Sequence, residues 1–245
     1  MKRNLITIIF LLTGSIAIGQ IKKVIDIPVN TKGDTTYCYK KCHDLHGKFK
    51  IKDLMYSNST MHFRYWQDGQ TVDLWTNDNK TYQGLVTDYI WEYKPTTIPK
   101  KKNKQPKTYT LQSRIDTAMA HKAFVLIAKD SILHIPSEEK IKGWHDGLDG
   151  TTYMIEISSS TAYSFRNYWT PTAQKDLKEA KMVEKFVEDF NTALRLSEYN
   201  RKFLATLPGG SYSDGGIWQL YIPEKTATNY YYDNDLEEED REMFQ

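Results

Sequence analysis

Two short segments of the chain contain residue types that can do chemistry, and the first runs from Cys38 to His46. The two cysteines of the chain, Cys38 and Cys42, are followed by His43 and His46. In an oxidising compartment such a pair favours a disulfide, with free thiols as the alternative. A zinc site made of all four residues would place its ligands within nine consecutive positions, which strains tetrahedral geometry. Attachment of c-type haem needs two residues between the cysteines, and this segment has three. We therefore predict a disulfide between Cys38 and Cys42, with no metal ligand and no cofactor.

The second segment is the glycine-rich loop that contains His145, Asp146 and Asp149. A histidine and two carboxylates on a loop could serve acid–base hydrolysis or bind a cation. The alternating acids and distal glutamate of a calcium loop are absent, and so are phosphate-loop, His-Glu-x-x-His and nucleophile-elbow motifs. Because Gly and Asp also form the turns that lead into strands, we assign no catalytic residue. A hydrolase that uses His145, Asp146 and Asp149 remains an alternative.

The amino terminus predicts export. Lys2 and Arg3 precede an apolar run from Leu5 to Leu12, and Ala17 and Gly19 supply small residues for cleavage. The apolar run is shorter than the roughly 20 residues that span a bilayer, and no longer one follows. We expect cleavage near Gly19 and a periplasmic or secreted protein that is not integral to the membrane.

Charge is distributed unevenly along the chain. The formal net charge is +2, but without residues 1–19 the chain has 31 basic and 31 acidic side chains, so overall charge gives no reason to expect a nucleic-acid partner. Residues 20–110 contain 16 Lys and Arg against 9 Asp and Glu, whereas residues 226–245 contain 1 against 7. This asymmetry favours an oppositely charged protein partner, and the acidic end is typical of a disordered tail.

The remaining pattern predicts one α+β domain over residues 20–225. Residues 61–94 contain strand-forming runs separated by turn residues, with one turn at Asp68-Gly69. This pattern predicts a three-stranded meander. Residues 153–169 predict a hairpin with one aromatic and aliphatic face, which carries Tyr153, Ile155, Tyr163 and Phe165.

Helices are predicted over residues 116–133 and over residues 172–196, the second with Thr170 as its cap. We expect these one or two amphipathic helices to pack on one face of the antiparallel hairpins. Residues 94–107 contain three prolines and six lysines, so we predict a loop there.

The segment order from Phe63 to Gly216 resembles an uncharacterised group of exported proteins from Bacteroidetes-type bacteria. The resemblance rests on the Trp75 to Gly84 hairpin, Gly143-Trp144, Leu148 to Tyr153, Tyr168-Trp169-Thr170-Pro171, Glu179-Ala180 and Leu207-Pro208-Gly209-Gly210. It implies an exported protein and brings no activity with it.

The sequence therefore favours a non-catalytic periplasmic protein that acts by interaction, as an envelope accessory factor or an inhibitor of another protein. The chain also contains six tryptophans and 17 tyrosines, whose flat rings can stack on sugars. A glycan- or cell-wall-binding module is the first alternative, and the hydrolase is the second.

Overall fold

The computed structural model describes residues 23–93, 106–147, 149–214 and 219–224. The predicted export signal, the acidic tail and most of the Lys- and Pro-rich loop lie outside these residues. Within them the chain forms α-helices and one mixed sheet, which confirms the α+β class. No helix in these ranges combines the length and apolar character needed to cross a membrane. The helices are α1 (Tyr37–Phe49), α2 (Thr117–Lys129), α3 (Lys178–Leu194) and α4 (Leu196–Ala205).

The sheet has nine strands and is almost entirely antiparallel. The strands are β1 (Val24–Asp26), β2 (Met61–Gln67), β3 (Gln70–Thr76), β4 (Tyr82–Glu92), β5 (Thr108–Ile115), β6 (Thr152–Ser158), β7 (Ala162–Trp169), β8 (Gly210–Ser213) and β9 (Gln219–Ile222). Their spatial order is β1-β7-β6-β2-β3-β4-β8-β9, and β5 pairs with β4 as well. Strand β1 runs parallel to β7, and the other pairings are antiparallel.

The predicted meander is confirmed as strands β2, β3 and β4. Gln67 pairs directly with Gln70, so Asp68 and Gly69 form a two-residue turn. Gly69 has a φ of 68°, a left-handed conformation that glycine adopts without steric cost. The register places Phe63 and Tyr65 on one face of the sheet, and Arg64 and Trp66 on the other.

Both faces of the sheet are covered by helices. Phe63 and Tyr65 contact Phe186 and Phe190 of α3, and α2 packs beside α3 on this face. The opposite face lies under α1, which packs on Trp66 and its neighbours. The sequence pattern predicts helices on one face only, and helix α1 on the opposite face was not predicted.

The hairpin β6–β7 forms as predicted, but its apolar residues do not share one face. Glu156 pairs with Phe165 and Ile155 pairs with Arg166, so Ile155 and Phe165 point to opposite sides. The prediction of one aromatic and aliphatic face was therefore wrong. Apolar residues occur on both sides because both sides are packed against helices.

The predicted helix over residues 172–196 is divided into α3 and α4. Arg195 separates them in a left-handed conformation with a φ of 51°. At the other end, Pro171 begins a separate 3₁₀ turn, and α3 starts only at Lys178. Thr170 has a φ of 36° and makes no capping bond, so its predicted role as the helix cap was wrong. By contrast, Asp116 caps α2, and its side chain accepts from the backbone N–H groups of Ala118 and Met119.

One buried carboxylate faces α4 from strand β4. Asp88 Oδ1 accepts from Gln70 Nε2 at 2.7 Å and from Asn200 Nδ2 at 3.5 Å, while Oδ2 has no hydrogen-bond partner among the described residues. Burial raises the pKa of Asp88 to about 6, against the opposing effect of these two hydrogen bonds. The charged form of Asp88 is therefore disfavoured in the folded chain.

We expect Asp88→Asn to stabilise the protein above pH 6. The amide oxygen keeps both accepted bonds, and the buried charge is lost. A raised folded-state pKa means that the wild type is most stable below the unfolded pKa of about 4 and loses stability as pH rises through 6. Denaturant unfolding should show a gain of about 1 kcal/mol at pH 8 that disappears at pH 4. Equal gains at both pH values would contradict this explanation.

Candidate functional site

A cleft of about 810 Å³ lies on the α1 side of the sheet, where the β2–β3 turn, the start of β6 and the end of β7 meet. The first turns of α1 form one wall. A 3₁₀ turn, Glu138–Lys140, and the loop before β6 form the opposite wall. The loop that was singled out from the sequence therefore borders this cleft.

Helix α1 is fixed by its cap and by one buried stripe. Thr36 accepts from the backbone N–H of Tyr39 at 3.4 Å, which satisfies an otherwise free amide at the helix start. Cys42, Leu45 and Phe49 recur at helical spacing and pack on the sheet. Tyr37 stands at the cleft with 75% of its surface exposed. Because these buried residues follow the first turn of α1, that turn remains accessible to a ligand.

Two tryptophans form an aromatic wall. Trp144 Nε1 donates to the carbonyl oxygen of Trp169 at 3.1 Å, and both residues line the cleft and are partly exposed. The loop passes so close to the Trp169 ring that a Cβ on Gly147 would overlap it. Glycine at this position therefore permits the contact between the loop and the aromatic wall.

The cleft is strongly acidic. Lys41 is the one Lys or Arg among the described residues that line it. Five carboxylates line it as well: Asp68, Glu138, Glu139, Asp146 and Asp214. Because the low dielectric of a cleft strengthens electrostatic interactions, this excess of negative charge disfavours anionic ligands.

Two of these carboxylates hold protons more tightly than usual. Burial raises the pKa of Glu138 to about 7, although the backbone N–H of Trp169 opposes this effect. Glu138 also accepts from Asn167 Nδ2, so both of its oxygens are used to hold the end of β7. Burial, reinforced by Asp214, raises the pKa of Asp68. Glu138 therefore has a structural role as well as a place in the cleft.

The structure separates the three residues of the hydrolase alternative. Asp146 lines the cleft, whereas His145 and Asp149 are exposed and do not line it. Gln174 fixes the backbone of His145, because its side chain accepts from the N–H at 3.1 Å and donates to the carbonyl at 2.8 Å. These contacts explain the conformation of the loop without a catalytic role.

Cys38 and Cys42 are free thiols, so the predicted disulfide is absent. Both lie on α1 four residues apart, where Cβ atoms are about 5–6 Å apart, whereas a disulfide needs about 3.5–4.5 Å. Burial raises the pKa of Cys38 to about 12, and burial together with Glu156 raises that of Cys42 well above its usual value. Both thiols therefore remain protonated.

Beneath α1 and beside the cleft, the sheet contains a buried charged network. Arg64 is 1% exposed and binds Asp73 through Nε at 2.8 Å and Nη2 at 2.7 Å. His62 Nε2 lies 2.8 Å from the same Asp73 oxygen. Burial alone would raise the pKa of Asp73, but Arg64 and His62 hold it below its usual value. Asp73 therefore remains ionised in the interior.

Glu156 is the second carboxylate of this network. Its Oε1 lies 3.3 Å from Arg64 Nη1 and 3.3 Å from His46 Nε2, and it accepts from Trp66 Nε1 at 2.8 Å. Tyr163 donates to Oε2 at 2.8 Å. Burial would raise the pKa of Glu156, but Arg64 and His46 hold it well below its usual value. Arg64 thus neutralises carboxylates from two different strands.

The network also contains the atoms of a serine–histidine–aspartate chain. Ser57 Oγ lies 3.2 Å from His62 Nδ1, and His62 Nε2 contacts Asp73. Ser57 is completely buried, so its hydroxyl cannot reach a substrate. This chain is therefore a packing arrangement and not a catalytic triad.

Sequence reasoning missed both the acidic cleft and the charged network. Arg64, Asp73 and Glu156 interrupt strands that are otherwise rich in aromatic and aliphatic residues. Charged residues are rarely buried without partners, so three of them within predicted strands were a usable signal. The Glu138 position had no comparable signal, because it lies in a short turn among other charged residues.

The comparisons with known proteins give no match. No family model, no curated protein and no solved structure matches this chain. The resemblance to exported Bacteroidetes-type proteins therefore stays a prediction.

Replacement of Arg64 by methionine is expected to destabilise the protein by about 3–5 kcal/mol at pH 7, because it leaves buried Asp73 and Glu156 without their cation. Their lowered pKa values contribute stability that is present above pH 4 and lost as pH falls through the folded-state values. The loss of stability caused by the substitution should therefore become smaller as the pH is lowered. Arg114→Met is the control, because Arg114 is exposed and its loss should change stability by less than about 0.5 kcal/mol. Similar losses in both variants in urea unfolding would refute the role of the network.

Gly147→Ala should disturb the aromatic wall, because the new methyl group overlaps the Trp169 ring. We expect a loss of about 1–3 kcal/mol and a changed near-ultraviolet circular dichroism spectrum. Gly47→Ala is the matched control: a Cβ there meets nothing within 4 Å, and Gly47 lies inside α1. That change should be neutral or should stabilise by about 0.5–1 kcal/mol. A native spectrum for Gly147→Ala would show that the loop is free to move away.

Proposed function

We propose that the protein is an exported, non-catalytic binding protein of the cell envelope, and that the acidic cleft binds a neutral or cationic glycan. The observation that carries this proposal is the juxtaposition of Trp144 and Trp169 with carboxylates in one concave site. Flat rings stack on sugar faces, and carboxylates accept hydrogen bonds from sugar hydroxyl groups.

The size and lining of the cleft support a small polar ligand. Its volume of about 810 Å³ is within the range of about 300–1,000 Å³ that is typical of ligand pockets. Asn30 adds the NH₂ group of its side chain, whose Oδ1 already accepts from the backbone, whereas the amides of Gln67 and Asn167 are hydrogen-bonded within the protein. This mixture of amides, carboxylates and rings suits a molecule with many hydroxyl groups.

The charge of the cleft restricts the class of glycan. Even without Glu138, whose pKa of about 7 leaves it partly protonated at neutral pH, four carboxylates stand against Lys41, so phosphorylated or carboxylated sugars would be repelled. Sugars with free amino groups would be attracted, and acetylated amino sugars would meet no charge penalty. We therefore favour amino-sugar oligomers over acidic polysaccharides.

A basic protein segment is the second candidate ligand. The same negative charge favours it, in agreement with the expectation of an envelope protein partner. The two candidates differ in their dependence on the aromatic rings that line the cleft, because stacking is central to sugar binding whereas a basic segment depends mainly on the carboxylates.

The test is titration of the mature chain with chitooligosaccharides and with partly deacetylated chitosan oligomers. We expect saturable quenching of tryptophan fluorescence. Tyr37→Ala should weaken binding about tenfold, because it removes an exposed ring from the mouth of the cleft. Asp146→Asn should weaken the cationic oligomers more than the acetylated ones.

Tyr56→Ala is the matched control, because Tyr56 is 74% exposed and does not line the cleft. It should bind as the wild type does. If neither oligomer binds, the glycan proposal fails. Capture of a periplasmic protein that depends on Asp146 but not on Tyr37 would then support the second candidate.

A further inference from the structure

We propose that α1 and the turn after it form a binding site for a divalent transition-metal ion, with His43, His46 and Asp53 as ligands. One donor atom from each residue lies within 4.8 Å of the other two. His43 and His46 are three residues apart on α1, and Asp53 begins the 3₁₀ turn Leu54–Tyr56. Two imidazoles and one carboxylate are a donor set that zinc and its neighbours accept.

The orientation of His46 carries the proposal. His46 is 7% exposed, and its Nε2 lies 3.3 Å from Glu156. The other ring nitrogen, Nδ1, is buried and has no hydrogen-bond partner among the described residues. A buried polar atom without a hydrogen-bond partner destabilises the fold. A metal ion bound at Nδ1 would give this nitrogen a partner.

Glu156 provides the support that metal-bound histidines usually have. Such histidines commonly donate the N–H of their other nitrogen to a carboxylate, which fixes the ring and makes it a better ligand. Arg64, Trp66 and Tyr163 hold Glu156 ionised and in place. The charged network thus fixes the orientation of the His46 ring through the contact between its Nε2 and Glu156.

Metal binding at Nδ1 requires one particular tautomer of His46. The proton must be on Nε2, directed at Glu156, so that Nδ1 presents its lone pair. Arg64 Nη1 also lies 3.0 Å from His46 Nε2, so this N–H must be directed at Glu156 and away from the guanidinium. Metal binding at Nδ1 would fix this tautomer, while Arg64 keeps its bonds to Asp73 and Glu156.

The other two ligands are accessible and adjustable. His43 is exposed, and Asp53 is partly exposed. Asp53 Oδ1 accepts from the N–H of Met55 at 2.8 Å, which leaves Oδ2 for an ion. Tetrahedral zinc places its ligand atoms roughly 3.4 Å apart, so the donor atoms must move closer together, which the exposed His43 ring and the partly exposed Asp53 carboxylate permit. A fourth position would remain open to water.

A neighbouring cluster, Cys42, His46 and Glu156, also brings three donor types together. It is a poorer site, because all three residues are buried and the Arg64 guanidinium already occupies the space beside Glu156 and His46. The Cys42 thiol is also protonated, since burial and Glu156 raise its pKa. A metal there would have to displace a cation and release a proton from a thiol.

The proposal is tested by titrating the chelator-treated full chain with Co²⁺ and following its visible absorption, then displacing Co²⁺ with Zn²⁺. We expect one equivalent to bind. His43→Ala and Asp53→Asn should each weaken binding at least tenfold; the asparagine keeps the oxygen that accepts from Met55. His134→Ala, which removes an exposed histidine outside the cluster, should bind as the wild type does.

Three results would overturn the proposal. The first is the absence of saturable binding by a chain whose circular dichroism spectrum shows it to be folded. The second is unchanged affinity in both His43→Ala and Asp53→Asn. The third is a thiolate-to-cobalt absorption band that Cys42→Ser removes, since this would place the ion on the buried cluster. Glycan binding is measured with other variants, so its outcome is independent of this one.

Discussion

The structure depends on one buried interaction, the neutralisation of two carboxylates by Arg64. Asp73 comes from β3 and Glu156 from β6, and Arg64 lies on β2 between them. A carboxylate in this interior without a cation would take up a proton or force the strands apart. The ion pairs therefore specify which strands are neighbours and which face carries the charge, and α1 must cover that face to exclude water.

Helix α1 connects this network to both proposed sites. Its buried stripe contacts Glu156 through Cys42 and His46, its first turn forms one wall of the cleft, and its outer side carries His43. The hydrogen bonds of this network are directional, and they add to close apolar packing in fixing the position of the helix on the sheet. The sites for a glycan and for a metal ion would therefore share one rigid support.

Much of the fold was predictable, because the meander, the β6–β7 hairpin and α2 follow from periodicity and local turn or cap chemistry. Helix α1 was not predicted, because the interpretation of Cys38 and Cys42 as a disulfide pair is incompatible with the helical spacing of Cys42, Leu45 and Phe49. The division at Arg195 was not predictable, since a left-handed residue without glycine or asparagine leaves no signal in the pattern. The cleft could not be predicted either, because its residues come from seven or more separate segments that only the tertiary fold brings together.

Strand β1 has a consequence for the order in which the chain can fold. Val24, Ile25 and Asp26 pair in parallel with Ala162, Tyr163 and Ser164, far along the chain. The first described strand therefore has no partner until β7 has formed, and such distant pairing slows folding because a long loop must close first. Val24 is still 71% exposed after pairing. During synthesis, this segment therefore stays unpaired until β7 has been made.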